Sequence, residues 1–103
     1  MDKATIIKNL HLFNQKYKEQ GFMFFSLFGS YARGTEDIFS DIDITYKIDH
    51  NVFFKDDAFA KLAKIDAIKK ELELLFHKKV DLIPANTKNH LIQEQLKKEQ
   101  IAI

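Results

Sequence analysis

Helices packed on a small sheet of about three to four strands, an α/β or α+β domain, is the fold class the sequence predicts. Three patterns predict it. Two stretches, 3–19 and 58–76, repeat apolar residues at helical spacing. The Phe-rich run 22–28 is too short for a helix of its own and ends in Gly29-Ser30. The segments 41–48 and 79–83 then read as strands, the second stopped by Pro84. The order is α-β-(short α)-β-α-β-α, with no repeat, linker or low-complexity segment to interrupt it.

Each element has its own warrant. In 3–19, Ile6, Leu10, Phe13 and Tyr17 follow at spacings of four, three and four, which is one face of a helix. Asp2 suits the N-cap, and Gly21 suits the position just past the end. Residues 22–28 read as a buried strand because aromatic residues fit a pleated surface. After Gly29, residues 30–33 can form one helical turn with Ser30 as N-cap, and Gly34 lets the chain leave it. Residues 35–40 form a loop. In 41–48, Ile42, Ile44 and Tyr46 fall on one side and Asp41, Asp43 and Thr45 on the other. A loop over 49–57 ends with Asp56 or Asp57 placed to cap the long helix 58–76. There Phe59, Leu62, Ile65, Ile68, Leu72, Leu75 and Phe76 make the longest apolar stripe of the chain. Residues 87–100 read as a last helix with Leu91, Ile92, Gln95 and Leu96 on one side, and Ile101-Ala102-Ile103 as an apolar tail.

Composition narrows the function classes. With 103 residues, the chain is expected to be a single domain, 1–103, with one core. Its 46% hydrophobic and 30% charged content is that of a soluble globular protein. A net charge of +1 gives no support to a nucleic-acid or membrane partner. The absence of cysteine excludes disulfides, thiolate metal sites and a cysteine nucleophile. No signal-peptide core or membrane-length apolar run is present, which fits a cytoplasmic protein. His11, His50, His77 and His90 lack metal-ligand spacing and read as surface or packing residues, with only His77 near a strand of interest.

The chemistry concentrates in two places. On a strand, Asp41 and Asp43 would project from one face, roughly 6.5–7 Å apart along the backbone. Alone, such a pair is an ordinary solvent-facing edge. It becomes informative beside Gly29-Ser30, ten residues before Ser40-Asp41. Glycine lets a ligand approach the backbone, and the free amides of a helix start favour an anion. A third acid, Asp81, sits inside the apolar stretch Val80-Asp81-Leu82-Ile83, where a carboxylate is costly without a partner. Three strand-borne acids with hard oxygen ligands suit Mg2+, and the glycine turn suits a phosphate.

These residues resemble a known signature. Gly29-Ser30-Tyr31-Ala32-Arg33-Gly34, followed by Ser40-Asp41-Ile42-Asp43-Ile44, is similar to that of the DNA polymerase beta-like nucleotidyltransferase superfamily. More closely, the stretch resembles the superfamily's stand-alone minimal nucleotidyltransferase (MNT) domains. Val80-Asp81-Leu82-Ile83 resembles the strand of the third acid, and residues 92–101 resemble the closing helix and apolar end. Beyond these motifs the likeness is loose. The pattern departs in the loop before Asp41, where Ile38 and Phe39 are bulkier than the small polar residues of the family.

The resemblance implies a nucleotidyltransferase fold, a small mixed sheet flanked by helices. It also implies roles. Gly29 and Ser30 would hold the triphosphate of ATP. Asp41, Asp43 and Asp81 would be catalytic and would bind two Mg2+ ions, Asp81 on the side of the attacking hydroxyl. Arg33 has two readings: reaching a phosphate, or pairing on the surface with Glu36 or Asp37. Larger relatives append an acceptor-binding domain for which this chain has no room, so the acceptor is expected to be another protein. The MNT resemblance makes that partner a HEPN-type RNase toxin, silenced when AMP is transferred to its tyrosine. Two alternatives stand beside this: an antitoxin that acts by complex formation alone, and nucleotidyl transfer to a small molecule or RNA end.

Overall fold

The structure, a computed structural model, describes residues 2–103. Helix α1 spans Lys3–Tyr17 and begins where the Asp2 carboxylate accepts the Thr5 amide. A 3-10 turn, Lys18–Gln20, and Gly21 in the left-handed conformation deliver the chain into strand β1, Phe22–Phe28. One helical turn, α2, covers Gly29–Arg33, and Gly34 closes it. Strand β2, Ile42–Ile48, is followed by α3, Ala58–Phe76, whose cap is Asp57. Strand β3, Val80–Pro84, helix α4, His90–Glu99, and a two-residue strand β4, Ile101–Ala102, complete the chain.

The strands form one mixed sheet in the order β3-β2-β1-β4. β1 runs antiparallel to β2 and to β4, whereas β2 and β3 are parallel. Parallel neighbours need a crossover, which α3 supplies. The expected mixed sheet flanked by helices is therefore what is seen.

A bulge at Phe25 sets which side chains enter the core. The register passes from Phe24↔Tyr46 to Ser26↔Thr45, leaving Phe25 unpaired. One extra residue inverts the alternation, so Phe22, Phe24 and Leu27 all share the face of Ile42 and Ile44. There they pack with Ile6, Leu10 and Tyr17 of α1 and Ile68, Leu72 and Phe76 of α3. On the opposite face, Ser26 and Thr45 are fully buried and joined by a 2.6 Å hydroxyl–hydroxyl hydrogen bond.

Several boundaries differ from the sequence expectation. Strand β2 starts at Ile42, so Asp41 precedes it. Pro84 lies inside β3, where an edge strand tolerates a missing donor. Helix α4 starts at His90 rather than residue 87, because Asn89 accepts the Leu91 and Ile92 amides. The apolar tail forms β4 instead of packing as a loose end. The long stripe of α3 is only partly buried: Phe59, Leu62 and Leu75 remain 82%, 69% and 43% exposed. A 19-residue helix reaches about 28 Å, further than strands of five to seven residues, about 17–23 Å, can cover.

Candidate active site

Topology brings the acids together. Because β2 and β3 are parallel, both begin at the same edge of the sheet, and Asp43 stands in register with Asp81. Because β1 is antiparallel to β2, it ends at that edge, with Phe28 paired to Asp43. Gly29 therefore follows directly beside Asp43. It has φ +74, and a Cβ built there would lie 2.3 Å from the Asp43 carboxylate oxygen Oδ2. Only glycine fits, both for the backbone and for the space that the carboxylate occupies.

The electrostatics are those of crowded acids. Asp43 is half-buried, and its carboxyl is pushed up to about 6. Burial is the largest cause, followed by the facing charge of Asp81 and the more distant charge of Asp41, with Arg33 opposing them. Among the described residues, none of the three acids takes part in an ion pair. Also among these residues, no three His, Cys, Asp or Glu side chains are grouped closely enough to hold a metal ion between them. Mg2+ does not need three, since it binds through one or two carboxylates and completes its shell with water and phosphate oxygens. The Asp43–Asp81 pair, with Asp41 just before the strand, has the donor chemistry and the surplus negative charge to suit such an ion.

Ser30 is the second residue of α2 and not its cap. Phe28 occupies the cap position without a side-chain hydrogen bond, because the turn is made one residue earlier, at Gly29. The Ser30 hydroxyl is half-buried and has no hydrogen-bond partner among the described residues. Arg33 pairs with neither Glu36 nor Asp37. It forms an ion pair with Glu99 of α4, because α2 packs against that helix. One guanidinium nitrogen is engaged there, which leaves other donors of the fork. His77 caps α3 in a left-handed conformation and is exposed.

One contributor was not legible as such in the sequence. The Lys78 ammonium reaches across to residues 37–40 and donates to the carbonyls of Asp37, Ile38 and Ser40 at 3.4, 3.0 and 3.4 Å. Its only sequence signal is membership of a Lys-Lys pair before a strand. The turn it grips does carry a local signal, Asp37 and Ser40 three residues apart, which suits a side-chain-capped turn.

Comparison with known proteins agrees with this architecture. The family model described as Polymerase beta, Nucleotidyltransferase matches residues 8–103. A solved structure assigned only provisionally as a minimal nucleotidyltransferase superposes with a TM-score of 0.71 at 23% identity, covering 100% of this chain and 97% of its own. A crystal structure of a toxin–antitoxin with AMP-PNP gives a TM-score of 0.63 at 21% identity, covering 91% of this chain and 71% of that one. Curated proteins give no significant match. At these identities the two structures establish a shared fold, while the family match spans nearly the whole chain and includes the glycine turn and all three acids. The chain belongs to the polymerase beta nucleotidyltransferase family.

Proposed function

We propose that this protein transfers AMP from Mg-ATP to a hydroxyl group of a partner protein, and that the partner is a HEPN-type RNase toxin silenced by the modification. The observation that carries the reading is the convergence of Asp43, Asp81 and Gly29-Ser30 at one sheet edge. The fold shared with a toxin–antitoxin with AMP-PNP supports both the adenine nucleotide and the toxin partner.

The chain's own groups have distinct tasks. The amides after Gly29 and the Ser30 hydroxyl hold phosphate oxygens, with Arg33 adding positive charge nearby. Asp41, Asp43 and Asp81 would hold Mg2+, which would supply positive charge to neutralise the triphosphate and acidify the acceptor hydroxyl. Asp81, in register with Asp43, would accept the proton of the acceptor hydroxyl. A new bond forms from that oxygen to the α-phosphorus, the bond to the bridging oxygen of the β-phosphate breaks, and pyrophosphate leaves.

Incubation with α-labelled ATP, Mg2+ and the product of the adjacent gene tests this. Label should appear on that protein, be lost with Asp43→Asn or Asp81→Asn, and be lost on chelation. Equal silencing of the partner without ATP, or by Asp41→Ala, would replace the reading with inhibition by complex formation. Turnover on a small molecule or RNA end with no protein acceptor would replace it with the other alternative.

A further inference from the structure

The segment that departs from the family pattern is also the most conspicuous feature beside the acids. Ile38 and Phe39 are 82% and 84% exposed, adjacent, and both large. They do not sit on a slack loop. The Asp37 carboxylate accepts the Phe39 amide at 2.8 Å, and the Asp37 amide donates to the Ser40 hydroxyl at 2.9 Å. The Ser40 amide returns to the Asp37 carbonyl at 3.1 Å. Lys78 then gathers the carbonyls of Asp37, Ile38 and Ser40 around its ammonium. Ser40 leads directly into Asp41, and Lys78 stands two residues before β3. The tip is therefore fastened to both strands that carry the acids.

Single exposed apolar residues are common on any surface, but a rigid adjacent pair is different. Each such side chain left in water forgoes the gain of burial. The fixed backbone means that little further ordering is needed when a partner covers it. We propose that the Ile38–Phe39 tip is the acceptor-docking element of this site, and that its occupant is an apolar depression on a folded acceptor protein. This rests on the reading of the chain as a transferase acting on a protein.

Shape and charge favour that occupant. Both tip side chains stand almost wholly in solvent, so a partner that covers them must be concave. Two cavities among the described residues, of about 510 and 540 Å³, lie at the far end of the sheet, one beside Gly21, Phe22 and Ile48 and the other beside Tyr46 and Pro84. Neither offers a small acceptor a place near the acids. A nucleic-acid acceptor would meet Asp37 and Asp41 flanking the tip, the wrong sign for phosphates, while the neighbouring Lys78 ammonium is occupied by three carbonyls.

The test uses the full chain with Ile38→Ser and Phe39→Ser, singly and together, titrated against the purified adjacent-gene product. A fluorescent ATP analogue with Mg2+ is titrated in parallel. The double variant should keep the wild-type melting temperature, weaken binding of the protein at least about tenfold, and hold the nucleotide within about twofold of wild type. Unchanged protein affinity overturns the proposal. A parallel loss of nucleotide affinity also overturns it, by giving Phe39 to the nucleobase, as does a wild-type dimer that the variants dissolve. Binding without labelling by the wild type would end the transfer reading yet still decide the tip through the titration. Labelling with unmoved affinity would do the reverse, and a protein that neither binds nor is labelled would overturn both.

Discussion

Gly29 and Asp43 define each other. The carboxylate fills the space a Cβ would need, and the backbone at φ +74 is strained for any other residue. Gly29→Ala should cost about 1–3 kcal/mol in chemical denaturation. In an Asp43→Ala background the collision is removed, and only the left-handed backbone penalty of about 1 kcal/mol should remain. Equal costs in both backgrounds would show that the contact is irrelevant. The crowding of Asp43 has a separate consequence. Its folded pKa, about 6, lies above the ordinary 3.8, so the fold binds this proton more tightly than the unfolded chain does. That contribution is full at low pH and is lost as pH rises through about 4 to 6. Asp43→Asn should therefore stabilise the metal-free protein at pH 7.5, by on the order of 1 kcal/mol after allowance for solvent screening, and do nothing below about pH 3. The same variant should abolish transfer.

Helix pairing and the Lys78 clamp belong to the scale of elements. Glu71 of α3 accepts the Tyr17 hydroxyl at 2.7 Å and the Lys16 ammonium at 3.1 Å, tying α3 to α1. Burial alone would raise its carboxyl, but these two donors outweigh burial and hold it below the ordinary 4.5. With a depressed folded pKa, the stabilisation is present above the ordinary carboxylate range and lost as pH falls through the lowered value. Glu71→Gln should cost less than about 1 kcal/mol at pH 7, the pair being largely exposed, and approach wild type once acid has protonated the wild-type carboxylate. Denaturation curves at neutral pH and in acid decide this. Lys78→Met leaves three carbonyls without their donor. Amide exchange at Phe39 and Ser40 should accelerate several-fold, with about 1 kcal/mol lost in global stability. Unaltered exchange would mean that Asp37 and Ser40 hold the turn unaided.

At the scale of the molecule, the C-terminal residues close the sheet. Ile101 and Ala102 pair with Leu27 and Ser26, and the Ile103 amide donates to the Phe25 carbonyl. Deleting residues 101–103 would open the edge of β1, which carries part of the core. The deletion should cost about 2 kcal/mol or more and promote concentration-dependent association through the bared edge, visible by light scattering. A monomer of wild-type stability would show that β4 is ornamental. No helix among the described residues is long and apolar enough to cross a membrane.

Local pattern alone determined much of this protein. The bounds of β1 and α3, the cap at Asp2, the choice of Asp56 or Asp57 to cap α3, and the glycine turn followed by Asp-Ile-Asp can be read from residues close in sequence, because spacing and capping act over a few positions. The turn and the acids also carried the family resemblance. Tertiary structure alone decided that Asp43 faces Asp81, since a parallel register is set by the α3 crossover between strands 38 residues apart in those two positions. It also took Arg33 to Glu99, left half of the α3 stripe in water, and turned the tail into β4, all through packing between distant segments. Lys78 illustrates the limit best. Its charge is plain in the sequence, but the three carbonyls it gathers exist as a group only once β2 and β3 lie side by side.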